Sequence, residues 1–335
     1  MAMVKLAIDF DSAYTNIFMK GSGLVLSEPT VAAVDDSGNG QVKAVGAEAK
    51  KLIGKTSKNT KIVFPIFEGE IVNEPVAIEI LKRMCQKIEA NTSLMGIYAL
   101  FSIPCGMGME VIEKYKRVAK KAGISKVDFV ENPILSALGQ QISLNESSPC
   151  FVVDIAGGTT NIAAVTIDGV IAGISVSFGG NKISTDIIDY ISENYGMQIG
   201  LLTAEKIKRE IGSLDYMDSL SMVVNGRDID SGTPRAVSIR AMDIFSATRK
   251  YFDKVIELST AMLNKRSPEV LAEIKRSGIY ISGADSKIFG LKEYFEKRME
   301  MNVNVADNGN YTVALGGGIV LGNNDVLKRV SLKID

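Results

Sequence analysis

Short apolar runs recur along this chain, separated by turn residues or by longer stretches with a different spacing. The runs at residues 24–26, 31–34 and 98–103 have the length and composition of β-strands, and the last of them ends at Pro104. The run at 98–103 contains only apolar and small residues, which is typical of a strand buried on both faces. These runs predict a sheet inside the protein.

The stretches between the strands show the spacing of amphipathic helices. In residues 75–90 the apolar side chains fall on one helical face, at Ile78, Leu81, Met84, Cys85 and Ile88. Three further helices are predicted, each with a glycine directly after its last residue, at 109–122, 183–195 and 203–211. Strands that alternate with helices predict an α/β architecture.

A repeat divides the chain into two halves. Residues 6–17 can be laid on residues 151–162 at a constant offset of 145, so that Asp9 meets Asp154 and the sequence Thr-Asn-Ile recurs. Each copy is an apolar run, an aspartate, a turn of small residues and a second apolar run, which predicts a β-hairpin. Four identities at one offset favour duplication over a chance match between two hairpins. We therefore expect two related α/β halves with a cleft between them.

The two hairpin turns have the composition of a site for phosphate groups and a metal ion. Small residues let backbone N–H groups approach phosphate oxygens, and Gly157 and Gly158 provide them in the second copy. Asp9 and Asp154, on opposite lips of the cleft, are candidate ligands of Mg²⁺, which sheds its water reluctantly. The sequence GxxxxGK[ST] does not occur, so a P-loop is excluded.

A third segment of similar composition lies in the second half. Residues 278–286 have the pattern of a strand followed by a turn of small residues, and a helix is predicted from about Lys287. A helix N-terminus has exposed N–H groups that suit the sugar-phosphate part of a nucleotide. Such segments are common in α/β proteins, so this one supports the hairpins and is weak alone.

Composition removes several classes of function. The 335 residues include no histidine, which excludes histidine zinc ligands and a Ser-His-Asp triad. The three cysteines, Cys85, Cys105 and Cys150, lack metal-binding or redox spacing and fit a reducing compartment. With 38 basic against 39 acidic residues, no overall field favours nucleic acid. No window has the apolar length of a signal peptide or a membrane span.

These motifs resemble the actin, Hsp70 and sugar-kinase superfamily, and within it the MreB family of bacterial actins. Besides the hairpins, the resemblance rests on short segments spread over nearly the whole chain, at residues 27–31, 45–50, 53–56, 103–104, 122–123, 203–208, 226–228 and 314–317. The family implies actin-like domains at residues 1–145 and 146–309, with residues 310–335 packing back on the first. Smaller inserted subdomains are expected at about residues 32–66 and 182–245.

The resemblance also implies roles for individual residues around ATP and Mg²⁺. Phosphate contacts fall on six residues of the hairpin turns: Ser12, Ala13, Tyr14, Gly157, Gly158 and Thr159. Glu205 and Lys208 are expected to line the nucleoside, and Asp285 and Ser286 are the expected contacts from the third strand–helix turn. Without the resemblance, Glu205 and Lys208 would be interpreted as an ordinary solvated helix face.

Two departures from the family pattern concern binding. Asp11 stands where the family has glycine, and a second carboxylate should repel phosphates unless it turns away or joins the ligands of the metal. Residues 283–286 replace a run of glycines, which is expected to narrow or reshape the nucleoside pocket.

A third departure concerns hydrolysis. The residue before Pro133, which the family uses to position the attacking water, is Asn132 instead of glutamate, and Glu131 precedes it. An amide can orient water but cannot accept its proton. Thr159, the companion residue near the terminal phosphate, is retained. The resemblance thus implies an ATPase coupled to polymerisation that is slow or nearly inactive.

Self-association and lipid contact are further implications of the family. We expect paired protofilaments and a cytoplasmic protein that lies peripherally on the inner face of the membrane. Leu94 and Met95 form an apolar loop tip where MreB proteins insert a loop into lipid; the alternative is that both side chains fold back onto the protein. Two such side chains give only weak binding, so many subunits of one filament would have to act together.

Three functions compete at this point. The leading one is an ATP-binding polymer protein that governs cell shape, with motility as a further role if the chain is a diverged paralogue from a wall-less bacterium. A small-molecule kinase of the same superfamily would need a carboxylate base aimed at a substrate hydroxyl, and the sequence shows no motif for one. An Hsp70-like chaperone would need a peptide-binding domain, yet the chain ends at Asp335, about where a nucleotide domain should end.

Overall fold

The computed structural model describes residues 3–38, 40–90, 95–144 and 148–334. In chain order, the first half forms β1 (Val4–Phe10), β2 (Tyr14–Met19), β3 (Gly23–Pro29), β4 (Ala32–Asp35), β5 (Val42–Val45), α1 (Gly46–Lys50), β6 (Thr60–Val63), β7 (Ile66–Phe67), β8 (Glu70–Ile71), α2 (Glu74–Lys87), β9 (Ile97–Ile103), α3 (Met109–Lys121), β10 (Lys126–Glu131) and α4 (Asn132–Gly139).

The second half forms β11 (Cys150–Ile155), β12 (Thr160–Thr166), β13 (Gly169–Val176), α5 (Gly180–Tyr195), β14 (Met197–Gln198), α6 (Leu201–Ile211), β15 (Ser221–Asp228), β16 (Pro234–Arg240), α7 (Ala241–Leu263), α8 (Pro268–Ser277), β17 (Ile279–Gly283), α9 (Leu291–Met299), β18 (Val303–Val305), α10 (Thr312–Gly322) and α11 (Asn324–Val330). Short 3-10 helices lie at Ala284–Lys287 and Gly309–Tyr311.

The two halves have sheets of the same topology. The first sheet has the order β10-β9-β1-β2-β3, and the second has the order β18-β17-β11-β12-β13. In each, the first strand of the hairpin pairs antiparallel with the second and parallel with a later strand. Both predicted hairpins and the duplication are therefore confirmed, and the parallel pairing follows from the helices that connect the strands.

Each half carries a smaller three-stranded sheet. In the first half β4 lies between β5 and β6, and α1 follows β5 directly. In the second half β15 lies between β14 and β16, after α6. These small sheets fall within the segments where the inserted subdomains are expected.

Two helices join the halves at the centre of the molecule. A buried cluster between the two large sheets combines Leu100, Val152 and Val320 with residues of α4. Here α10 crosses α4 so closely that a Cβ atom on Gly316 would lie 1.8 Å from the backbone oxygen of Leu135. Such a crossing needs glycine, because any side chain would overlap the facing backbone.

The C-terminal segment contacts the first half. The backbone N–H of Leu332 donates a hydrogen bond to the carbonyl of Phe129 at 2.9 Å. The side chains of Leu332 and Ile334 also pack against the core of the first half.

The third strand–turn segment differs from the prediction. The strand is present as β17, but the helix predicted from about Lys287 is wrong, because α9 begins only at Leu291. A 3-10 turn follows β17, and Gly290 then adopts φ +75°, a left-handed conformation that interrupts helical geometry. The other predicted helices are confirmed as α2, α3, α5 and α6, each within a few residues.

Candidate functional site

The first part of the site surrounds Asp9, near the end of β1. Its carboxylate accepts a hydrogen bond from Ser102 Oγ, on the parallel neighbour β9, at 2.8 Å. It accepts a second bond from Asn16 Nδ2, directly opposite on β2, at 3.2 Å. The neighbouring strands therefore hold the carboxylate in one orientation.

The second half repeats this arrangement around Asp154. Ser282 Oγ on β17 donates to its carboxylate at 2.6 Å, and Asn161 Nδ2 on β12 donates at 3.3 Å. Sequence reasoning found both aspartates but missed the two serines. The available signal was a serine near the end of each parallel strand that pairs with a hairpin strand, at Ser102 and Ser282.

The surroundings of both aspartates favour a cation. Burial raises the pKa of Asp9 to about 7, and the charge of Asp11 adds to the rise. Burial also raises the pKa of Asp154 to about 6. Two carboxylates whose negative charge is disfavoured by the protein are stabilised as anions by a divalent cation. The aspartates therefore fit Mg²⁺.

The protein side chains could supply only some of the ligands that a bound metal ion needs. Within the described ranges, no group of three or more acidic, cysteine or histidine side chains could enclose a metal. Further ligands for Mg²⁺ would have to be phosphate oxygens and water, which is the usual pattern when this ion is bound with a nucleotide.

The turns of the two hairpins face each other at close range. A Cβ atom on Gly157 would lie 2.3 Å from the Cβ of Ala13, and one on Gly158 would lie 2.4 Å from Ser12 Oγ. Glycine at both positions is thus what allows the turns to approach, so that backbone N–H groups of both turns converge on one region.

The helix α5 begins directly behind the second turn. The backbone N–H groups of Gly180 and Asn181 donate to the carbonyls of Ala156 and Gly157, both at 2.9 Å. These bonds fix the carbonyls of the turn toward the helix. Sequence reasoning missed this contact, although the pair Gly179-Gly180 before a helical pattern was a usable signal.

The side chain of Asp11 lies against both hairpin turns instead of pointing away from them. Its Oδ2 accepts a hydrogen bond from the backbone N–H of Gly157 at 2.7 Å, across the cleft. The N–H of Ala13 and the hydroxyl of Ser12 lie at 3.4 Å from the same carboxylate. Burial raises the pKa of Asp11, and these hydrogen bonds oppose the rise.

A cavity of about 380 Å³ opens beside the turns. It is bounded by both hairpin turns, the end of α1, residues 64–68 around β7, and the N-terminal parts of α5 and α6. Six of the residues singled out from the sequence line it: Ser12, Ala13, Tyr14, Gly157, Gly158 and Glu205.

One ion pair spans this cavity. Lys50 at the end of α1 contacts Glu205 on α6, with Nζ 2.7 Å from the carboxylate, and its ammonium lies 5.3 Å from the ring centroid of Tyr14. Both charged side chains are half-buried. The pair connects the inserted segments of the two halves over the space where a nucleotide would enter.

The remaining nucleoside candidates, Lys208, Asp285 and Ser286, are not among the residues that line this cavity. Lys208 Nζ contacts Asp285 at 2.8 Å, and both side chains are nearly buried. Lys208 also donates to the carbonyl of Gly180 at 2.9 Å, and Ser286 Oγ donates to the carbonyl of Gly283 at 2.7 Å. The structure therefore brings Lys208 and Asp285 together with each other rather than with the cavity.

Of the three residues considered for hydrolysis, Asn132 and Thr159 are buried. Among the described residues, Asn132 Oδ1 and Thr159 Oγ1 have no hydrogen-bond partner. Unpaired buried polar atoms are uncommon and are typical of sites that bind water or a ligand. Glu131, by contrast, has a hydrogen-bond partner, because its carboxylate accepts a bond from the backbone N–H of Gly106 at 2.7 Å.

The predicted lipid loop is only partly described. Leu94 lies outside the described residues, and the side chain of Met95 is 58% exposed. In the part of the chain that the structure covers, no helix has both the length and the apolar character needed to cross a bilayer.

Two duplicated α/β halves with facing aspartate hairpins define an actin-like fold. The chain superposes with MreB5 of Spiroplasma citri bound to AMPPNP at a TM-score of 0.89 and 27% identity, over 98% of each chain. A double helical filament structure of MamK shares the fold, with a TM-score of 0.82 and 18% identity over 96% of this chain and 99% of the other.

Sequence comparison identifies the family. Residues 3–329 match the family described as MreB/Mbl protein, and the chain therefore belongs to that family. It is 30% identical to the cell shape-determining protein Mbl of Bacillus subtilis (strain 168), over 98% of each chain. It is 31% identical to the cell shape-determining protein MreB of Escherichia coli (strain K12), over 94% of this chain and 92% of the other. The predicted family is thereby confirmed.

Proposed function

We propose that this protein is an ATP-binding bacterial actin that polymerises into cytoskeletal filaments governing cell shape. The observation that carries the proposal is the pair of equivalently held aspartates, Asp9 and Asp154, on hairpins whose turns face each other. Relatives support it, because the MreB5 structures are bound to AMPPNP and ADP and the named relatives determine cell shape.

In this function the two turns bind the phosphate groups and the two aspartates hold Mg²⁺ together with water. The ion supplies positive charge beside the phosphates when bound. Asn132 and Thr159 orient the attacking water. Because an amide accepts no proton at neutral pH, hydrolysis is slow compared with that of a protein with glutamate at this position.

We also propose that filaments lie on the inner face of the membrane and form paired protofilaments. The exposed side chain of Met95 supports a lipid contact through the loop that it shares with Leu94. The division into domains at residues 1–145 and 146–309, with two inserts, is part of the same proposal and agrees with the positions of the two small sheets.

The proposal is tested by pelleting and negative-stain electron microscopy of the purified protein. Samples contain ATP, a non-hydrolysable analogue, ADP or no nucleotide, each with and without Mg²⁺. We expect the wild type to form filaments that depend on nucleotide and Mg²⁺. We expect Asp154→Ala to form no such nucleotide-dependent filaments. Asp189→Ala, an exposed aspartate on α5, is the matched control and should behave as wild type. A protein that binds ATP yet stays small under all conditions would favour the small-molecule kinase.

A further inference from the structure

We propose that Asp11 is an internal competitor for the phosphate position of the nucleotide, and that it sets how strongly the site selects ligands by their phosphate groups. This inference rests on the proposed nucleotide site. It concerns a carboxylate that no part of the proposed function uses.

The hydrogen bonds of Asp11 are those that a phosphate group would make. Its carboxylate accepts the N–H of Gly157 from the second half at 2.7 Å and lies 3.4 Å from the N–H of Ala13 in the first half. Backbone N–H groups of two facing turns that converge on one anion form an anion-binding concavity. In this structure the anion comes from the chain itself.

The contact has direct consequences for a ligand. The single N–H of Gly157 cannot donate a full hydrogen bond to Asp11 and to a phosphate oxygen at the same time. A phosphate group placed at this amide would also stand beside a carboxylate of like charge. Asp11 must therefore leave the turn before a phosphate group takes its place, and that rearrangement lowers the affinity for phosphate-bearing ligands.

The internal repeat shows that the carboxylate is not needed to build the turn. At the constant offset of 145 residues, Asp11 corresponds to Ala156 in the second hairpin. Asp154 keeps its serine and asparagine contacts there, with alanine at the equivalent position. Replacing Asp11 by alanine thus reproduces a turn that this chain already forms, and the variant is expected to fold.

The test is equilibrium binding of AMPPNP, ADP and adenosine, in Mg²⁺, to wild type, Asp11→Ala and Asp11→Asn. We expect Asp11→Ala to bind AMPPNP and ADP roughly 10- to 100-fold more tightly, the equivalent of one hydrogen bond to a charged group. Asp11→Asn, which removes the charge but keeps the size, should gain part of this increase. Adenosine, which has no phosphate, should bind all three proteins equally.

Each outcome has a distinct meaning. Binding of AMPPNP by Asp11→Ala but not by wild type would support the inference in its strongest form. Equal affinities of the wild type and both variants for AMPPNP would overturn it and leave the proposed function standing. An equal gain for adenosine would also overturn it, because a general change of the pocket would then be responsible. If neither wild type nor any variant binds any nucleotide, the proposed function fails, and this inference fails with it.

Discussion

Asn161 Oδ1, in the second half of the chain, accepts a hydrogen bond from the backbone N–H of Cys105, in the first half, at 2.9 Å. The same side chain donates from Nδ2 to the carboxylate of Asp154. One buried amide therefore links a metal-binding candidate to the strand end of the opposite half. A shift between the halves would change the position of that carboxylate.

The equivalent residue of the first half, Asn16, also contacts the other half. Asn16 Nδ2 donates to the carbonyl of Asn310, which follows the last strand of the second half, at 3.0 Å, and also to Asp9. Both asparagines therefore contact the other half, but through different atoms, because among the described residues Asn16 Oδ1 has no hydrogen-bond partner. This gives the Thr-Asn-Ile identity in the hairpins a physical reason: the asparagine faces both its own aspartate and the other half.

We predict that Asn161→Ala destabilises the protein and weakens binding of Mg²⁺ with nucleotide. The substitution leaves the buried N–H of Cys105 without its partner, which costs about 1–3 kcal/mol. Chemical denaturation and nucleotide titration with and without Mg²⁺ measure the two effects. Asn194→Ala, in an exposed position on α5, is the control. Equal losses in both variants would argue against the linking role.

We predict that the affinity of Asp154→Ala for nucleotide depends much less on Mg²⁺ than that of the wild type. The carboxylate is buried and held by Ser282, so its removal takes away half of the protein's candidate metal ligands without disturbing the surface. Isothermal titration with ADP, in Mg²⁺ and in a chelator, provides the comparison. A variant whose affinity rises with Mg²⁺ as much as that of the wild type would show that Asp154 is not a ligand.

We predict that the double substitution Leu94→Ser/Met95→Ser reduces pelleting with liposomes and leaves polymer formation unchanged. Full burial of an apolar side chain is worth about 1.5–3 kcal/mol, so the loss per subunit is modest and grows with filament length. Co-sedimentation with vesicles, at matched polymer mass, measures it. Met109→Ser alters a methionine that is also half-exposed, outside the loop, and serves as the control. Equal lipid binding by wild type and the double variant would exclude the tether.

We predict that Gly316→Ala destabilises the protein by about 1–3 kcal/mol through overpacking between α10 and α4. An added methyl group would meet the carbonyl of Leu135 at 1.8 Å, so the helices would have to separate. Gly322→Ala is the control, since a Cβ atom there has no neighbour within 4 Å. Denaturation of both variants by urea compares them. A urea-unfolding curve for Gly316→Ala like that of Gly322→Ala would contradict the close crossing.

Much of the fold was accessible from the sequence because local signals agreed with the repeat. Apolar runs, glycine helix ends and the offset of 145 residues predicted both hairpins, the cleft and four helices. The start of α9 was missed because it depends on the left-handed conformation of Gly290, and the pattern of apolar residues carries no sign of backbone dihedral angles.

The candidate site was predictable only as far as residues lie close together in the sequence. Ser102 and Ser282 reach the aspartates through parallel strand pairing, which brings together residues 93 and 128 positions apart. The Lys208–Asp285 and Lys50–Glu205 ion pairs likewise join distant segments. The charged side chains of α6 alone therefore gave no indication of the residues with which they pair. The direction of the Asp11 side chain was open for the same reason.

The last prediction is that Asn132→Glu hydrolyses ATP faster than wild type, while nucleotide affinity stays within a few-fold. Asn132 is buried at the start of α4, and its Oδ1 has no hydrogen-bond partner within the described residues, as expected of a group that orients water. A carboxylate there can also accept the proton, and general-base assistance is typically worth about 10²–10⁴-fold. Glutamate is one methylene longer than asparagine, so Asn132→Gln, which adds the same length without a base, is the matched control. Phosphate release is measured at equal polymer mass for all three proteins. A rate for the glutamate variant no higher than that of Asn132→Gln would show that the missing base does not limit hydrolysis, since added reach alone would then explain any gain.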